Sequence, residues 1–216
     1  MPATYPSAPA RKPRRRTRRD QNRLRSLLLL FLIVLVAFAA CSHFRRQVTL
    51  TTLEEDWITL DLLPVNKYSR PEIPLEHVNG IVVHYTGNPN TTAEQTKSYF
   101  SNLATTGETY ASSHFIIGMD GTILQCVPLN EEAYCSNSRN VDTVSIECCH
   151  PDKSGKFSDK TYDSLVKLVR YLASAYRLTS DDVIRHYDVT GKLCPIYYVE
   201  HEDAWIAFKE AVFEDS

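Results

Sequence analysis

What most limits the fold of this 216-residue chain is an alternation of element types between residues 78 and 213. Short runs rich in β-branched residues alternate with segments whose apolar residues recur at helical spacing. Residues 78–84 form an apolar run of strand length that ends on His84. Thr92-Ala93-Glu94-Gln95 has the form of a capping box and predicts a helix running to about Leu103. Residues 114–119 and 122–127 flank Asp120-Gly121, which predicts a hairpin. A further strand is predicted over 144–148. Over 158–176, Tyr162, Leu165, Val166, Val169, Leu172 and Tyr176 share one helical face. A short strand or turn over 182–185 leads into His186, and a last helix over 202–213 turns Trp205, Phe208 and Val212 inward. Strands and helices mixed in this order predict an α/β fold with one central mixed β-sheet flanked by α-helices.

The first 49 residues have a different composition. They hold eleven of the 24 Lys and Arg and one acid, Asp20, so the remainder is strongly acidic although the whole chain nets only −2. A basic arm over 1–25 precedes an uncharged apolar run that starts at Ser26 and passes Cys41. Basic residues crowd the N-terminal side of that run. With the positive-inside rule, this predicts a signal anchor over 26–43 with the N-terminus in the cytoplasm. A cleaved signal peptide, with Ala37-Phe38-Ala39 at the cut, is the alternative, and acylation at Cys41 is a third. Each exports the same domain, so the expected location is membrane-anchored and extracytoplasmic, or secreted if the segment is cut. A nucleic-acid partner is not expected. Residues 44–77, punctuated by Pro64, Pro71 and Pro74, read as a stalk, and residues 78–216 as a monomeric catalytic domain.

The chemistry-bearing residues gather in two places. Residues 185–195 put His186, Lys192 and Cys194 in a segment too rich in turn formers to be one helix. His84 ends the first strand about a hundred residues upstream. Two imidazoles and a thiolate can hold Zn2+ and leave a fourth position open, as catalytic zinc requires. Cys194 has a competing reading as a disulfide partner, because Cys126, Cys135, Cys148 and Cys149 lie in the same domain. Glu147 sits among apolar neighbours in the predicted strand 144–148. It can serve as a general base beside a metal or as the partner of Arg139 or Arg185. Lys192 lies two residues before Cys194 and, in an extended segment, shares its face. Its ammonium can stabilise an oxyanion there.

With these residues in view, the chain resembles the zinc-dependent N-acetylmuramoyl-L-alanine amidases of the type-2 family, whose fold peptidoglycan recognition proteins share. The resemblance spans about residues 78–213. It is carried by Val83-His84-Tyr85-Thr86-Gly87, by Ser113-His114-Phe115-Ile116-Ile117 with Asp120-Gly121, by Ser145-Ile146-Glu147, and by His186-Tyr187-Asp188 with Lys192-Leu193-Cys194-Pro195. It implies zinc ligation by His84, His186 and Cys194, a general base at Glu147, and electrostatic help from Lys192. The implied substrate is the amide between muramic acid and L-Ala in peptidoglycan, with Tyr85, Thr86, Ser113 and His114 as expected substrate contacts. Two positions depart from the family pattern. Ser113 stands where some relatives carry a catalytic Tyr, and Ala133-Tyr134-Cys135 stands where many carry Ala-aromatic-His. The competing expectations are a module of the same fold that binds peptidoglycan without cutting it, and a structural domain in which Cys194 is oxidised.

Overall fold

In the computed structural model, the chain divides into two units, Met1–Arg46 and Gln47–Ser216. The structure describes residues 50–214, together with Leu27 and Leu29–Phe31. Among the described residues no helix is long and apolar enough to cross a membrane. The expected membrane-anchored location is therefore corrected. Most of the stretch 26–43, and the whole basic arm, lies outside the described residues.

The second unit is built on a six-stranded sheet. Its strands are β1 (Thr59–Leu60), β2 (Gly80–Tyr85), β3 (Phe115–Ile117), β4 (Ile123–Gln125), β5 (Thr143–Cys148) and β6 (Val183–Arg185), in the order β1-β4-β3-β5-β2-β6. Only the β3–β4 pair is antiparallel. The sheet is thus mixed, as the sequence predicts. β2 and β5 occupy its interior, and Ile81, Val82, Val83, Val144 and Ile146 are fully buried. A strand covered on both faces is apolar without alternation, which is why residues 78–84 read as a continuous run.

Neighbouring residues of β3 serve opposite faces. Phe115 and Ile117 pack with helices α2 (Asp159–Tyr176) and α4 (Glu202–Phe213) through Leu165, Leu168, Leu172 and Phe208. Ile116 packs on the other face with Phe100 and Leu103 of helix α1 (Ala93–Thr106). The period of two along a strand thus sorts one run into two cores.

The helix ends follow the local chemistry. The Thr92 hydroxyl accepts the Gln95 N–H at 3.2 Å, and the Gln95 carboxamide accepts the Thr92 N–H at 2.9 Å, closing the predicted capping box. At the other end of α1, Gly107 adopts φ 61 and returns its N–H to the Leu103 carbonyl. The helix therefore runs three residues beyond the predicted end. In the hairpin, Gly121 takes φ 89, which a side chain would strain, and the Asp120 carboxylate accepts the Thr122 N–H.

The predicted stalk is a finding in the other direction. From Leu50 to Pro74 the chain packs along the sheet, and β1 adds a parallel edge strand to β4. Leu53, Ile58, Leu63 and Leu75 are buried. The Leu53 N–H donates to Gln125 Oε1, Gln125 Nε2 donates to the Thr51 carbonyl, and the Leu63 N–H donates to the Cys126 carbonyl. Arg70 forks onto both carboxylate oxygens of Glu131 at 2.8 Å. These residues belong to the compact unit, not to a tether.

Candidate metal centre

Three parallel strands in a row, β5, β2 and β6, end at one edge of the sheet. His84 is the penultimate residue of β2 and pairs in register with Glu147 of β5. Val83 pairs with Arg185, the last residue of β6, so His186 follows at the same edge. Ligand sites in open α/β sheets lie outside the carboxyl ends of parallel strands. Here that edge receives an imidazole, a carboxylate and a second imidazole from adjacent strands.

The return of Cys194 to this edge is local. A five-residue helix, α3 (His186–Thr190), stops at Gly191 with φ 78, and the chain turns back. The Tyr187 N–H then donates to the Cys194 carbonyl at 2.9 Å, which closes the loop. Arg185 anchors its base. Its guanidinium contacts Asp188 at 2.9 Å and Glu202, and donates to the Tyr198 carbonyl at 2.8 Å. The ligand atoms offered by His84, His186 and Cys194 all lie within 4.8 Å of one another, and all three residues are buried. The His84 and His186 rings stand 4.7 Å apart, and Cys194 Sγ is 3.9 Å from His84 Nδ1.

Two nitrogens and one sulfur converging in this way are a donor set that could hold a zinc ion and leave room for a further ligand. The five cysteines among the described residues are free thiols, so the disulfide reading of Cys194 finds no partner there. Without a cation, burial pushes the Cys194 thiol up to about 12, and the charge of Glu147 adds to this. Burial holds His84 well below the usual imidazole range, with His186 and Lys192 adding to the effect. Burial also lowers His186, helped by Lys192. A neutral thiol and two neutral imidazoles crowded together lack a positive charge, and a divalent cation there would invert the thiol's preference.

Glu147 is not the ion-pair partner of either arginine. Arg139 is committed to Asp142 at 2.7 Å, and Arg185 to Asp188 and Glu202. Instead Glu147 Oε1 accepts the Cys135 thiol at 3.6 Å, and Oε2 is buried with no partner. Burial raises its carboxyl to about 7, against the opposing pull of Cys135 and Lys192. Lys192 is exposed, and its charge reaches His84, His186, Glu147 and Cys194.

Of the expected substrate contacts, Tyr85 and Thr86 follow His84 directly and are partly exposed. Ser113 and His114 are not brought to this surface. Ser113 Oγ donates to the Phe115 and Ser145 carbonyls deep in the fold. His114 is fully buried and engages Ser145 and the Glu131 carbonyl.

Sequence reading missed the residues that hold the two converging imidazoles. His84 Nε2 lies 3.0 Å from Ser136 Oγ, and His186 Nε2 donates to Asn137 Oδ1 at 2.7 Å. Such outer partners fix which ring nitrogen remains for a metal. The rule that a ligating His needs one was available from the sequence, but no spacing identifies which polar residue supplies it. A separate groove of 880 Å³, lined by Trp57, Tyr162, Arg170 and Tyr171 among others, shares no residue with this centre.

Comparison with known proteins agrees with the geometry. The model of the N-acetylmuramoyl-L-alanine amidase family Amidase_2 matches residues 74–196. The chain is 32% identical over 175 residues to the N-acetylmuramoyl-L-alanine amidase BlyA of Bacillus subtilis (strain 168). That match covers 71% of this chain but 46% of BlyA, so the chain spans about half the length of the curated relatives it matches. Among solved structures, PlyL superposes with a TM-score of 0.60 at 28% identity, covering 72% of this chain and 96% of that one. The catalytic domain of XlyA gives 0.59 at 27% identity, covering 72% and 98%.

Proposed function

Because the chain belongs to the N-acetylmuramoyl-L-alanine amidase family, we propose that it hydrolyses the amide between N-acetylmuramic acid and L-alanine in peptidoglycan, with zinc held by His84, His186 and Cys194. The observation that carries this reading is the buried, unpartnered Glu147 Oε2 beside a convergent two-His, one-Cys donor set. A buried carboxylate oxygen without a donor is costly unless a ligand or reactant supplies one.

When bound, zinc supplies a positive charge that polarises a carbonyl oxygen and makes water acidic enough to attack near neutral pH. The chain's own groups do the rest. Glu147, whose carboxyl burial raises to about 7 in the metal-free chain, takes a proton from the attacking water and delivers it to the leaving nitrogen. Lys192 stands at the exposed side and shares the negative charge that develops on the carbonyl oxygen. Tyr85 and Thr86, beside His84 and partly exposed, are placed to contact the sugar or the first residue of the stem peptide.

The test incubates the full chain with purified peptidoglycan and counts newly exposed amino-terminal L-Ala. The expected result is new L-Ala termini that disappear on chelation and return with zinc. New reducing sugar ends, or new amino groups on other residues of the stem, would overturn the assignment.

A further inference from the structure

Three consecutive residues in the turn before β5 each touch a different member of the centre. The Cys135 thiol donates to Glu147 Oε1 at 3.6 Å. Ser136 Oγ meets His84 Nε2 at 3.0 Å, and Asn137 Oδ1 accepts from His186 Nε2 at 2.7 Å. The turn is itself clamped. Asn140 Oδ1 accepts the N–H of Cys135 at 3.1 Å and that of Ser136 at 2.6 Å. Asn137 adopts φ 53, a left-handed conformation that Asn tolerates and most residues resist.

We propose that Cys135-Ser136-Asn137, held by Asn140, is a single positioning device with divided roles: Ser136 and Asn137 orient the two imidazoles toward the metal, and Cys135 orients the Glu147 carboxylate toward the reacting water. This rests on the proposed amidase reading of the site. The division follows from atom types. Asn137 Oδ1 can only accept, so His186 Nε2 keeps its proton and Nδ1 is left for a metal. With His84 Nδ1 facing Cys194 Sγ, Nε2 is the nitrogen left to bond the Ser136 hydroxyl. Cys135 touches a different group. Its S–H engages one carboxylate oxygen of Glu147, which leaves Oε2 as the oxygen without a partner. The two oxygens are chemically equivalent, so what the thiol fixes is the plane of the carboxylate about its terminal bond.

The experiment uses the full chain with Cys135, Ser136 and Asn137 each changed to Ala, and with the conservative variants Cys135→Ser, Ser136→Thr and Asn137→Asp. Zinc affinity is measured by competition with a chromophoric chelator, and kcat and KM on peptidoglycan at saturating zinc. Ser136→Ala and Asn137→Ala are expected to weaken zinc binding by about 10–100-fold, as loss of an outer partner typically does. Cys135→Ala is expected to bind zinc as the parent chain does and to lose about 10-fold in kcat with KM unchanged. Each conservative variant, keeping a donor or acceptor at the same place, should recover most of the loss. Alanine variants that bind zinc like the parent, a Cys135→Ala variant that loses zinc affinity instead of kcat, or conservative variants no better than alanine would each overturn the division of roles. If the parent chain binds zinc but cuts nothing, the amidase reading fails, and the zinc affinities of the Ser136 and Asn137 variants alone decide this proposal.

Discussion

His84 and His114 are both buried histidines next to β-strands, and the fold uses them in opposite ways. His114 has both ring nitrogens satisfied by the protein. The Ser145 N–H donates to Nδ1 at 3.0 Å, so the proton sits on Nε2 and donates to the Glu131 carbonyl at 2.9 Å. His84 has one nitrogen held by Ser136, while the other faces a thiol 3.9 Å away and a second imidazole. The same contrast extends to whole regions. Around β3, β4 and the strap formed by Leu50–Pro74, Gln125, Ser113 and the Arg70–Glu131 pair have their polar atoms engaged. At the carboxyl edge of β5, β2 and β6, Glu147 Oε2 has no partner and three potential ligands crowd together. Buried polarity that is fully paired holds the fold together. Buried polarity left open marks the place where something else must bind.

The largest effect that would break this comparison comes from Glu147→Gln. If the open carboxylate serves chemistry, kcat on peptidoglycan should fall by about 10²–10⁴-fold, while the melting temperature does not fall. A loss of stability without a loss of turnover would place Glu147 among the structural groups.

The next effect concerns pH and His114. Burial holds its folded pKa down at about 4, whereas an unfolded histidine titrates near 6.5. Between those values the unfolded chain binds the proton and the folded chain does not, so stability falls as pH drops from about 6.5 to 4. At about 1.4 kcal/mol per pH unit this group accounts for roughly 3 kcal/mol. Glu147, His84 and His186 also titrate with shifted values, so the slope is read as the difference between the parent chain and His114→Asn in denaturant unfolding at a series of pH values. A slope unaffected by the substitution would mean that His114 is not the titrating group.

The smallest effect tests the strap. Arg70→Ala removes two charge-assisted bonds to Glu131 and should cost about 2 kcal/mol in unfolding free energy, with zinc affinity unchanged. A variant as stable as the parent would return the Leu50–Pro74 stretch to the status of a tether.

The convergence at the carboxyl edge of β5, β2 and β6 was legible in the sequence because its members lie inside local patterns. His84 ends an apolar run, Glu147 interrupts one, and Cys194 follows His186 across a Gly-containing turn. Three other features were not legible, each for a physical reason. Ser113 and His114 share a motif with the hairpin, but a sequence does not say which buried polar residues find partners in the fold. Ser136 and Asn137 act through loop geometry across about 50 residues of sequence, and nothing in their spacing ties them to the histidines. The strap reads as a stalk because β1 is two exposed residues long and its core residues, Leu53, Ile58, Leu63 and Leu75, follow no period.

The measurement that tests the central claim most directly is metal binding by the full chain, followed with cobalt as a spectroscopic substitute for zinc. One equivalent per chain is expected, with a thiolate-to-metal charge-transfer band that Cys194→Ser abolishes and zinc displaces. A chain that takes up no metal, or takes it up with a spectrum indifferent to Cys194→Ser, would contradict the claim that the open cluster of His84, His186 and Cys194 is a metal centre.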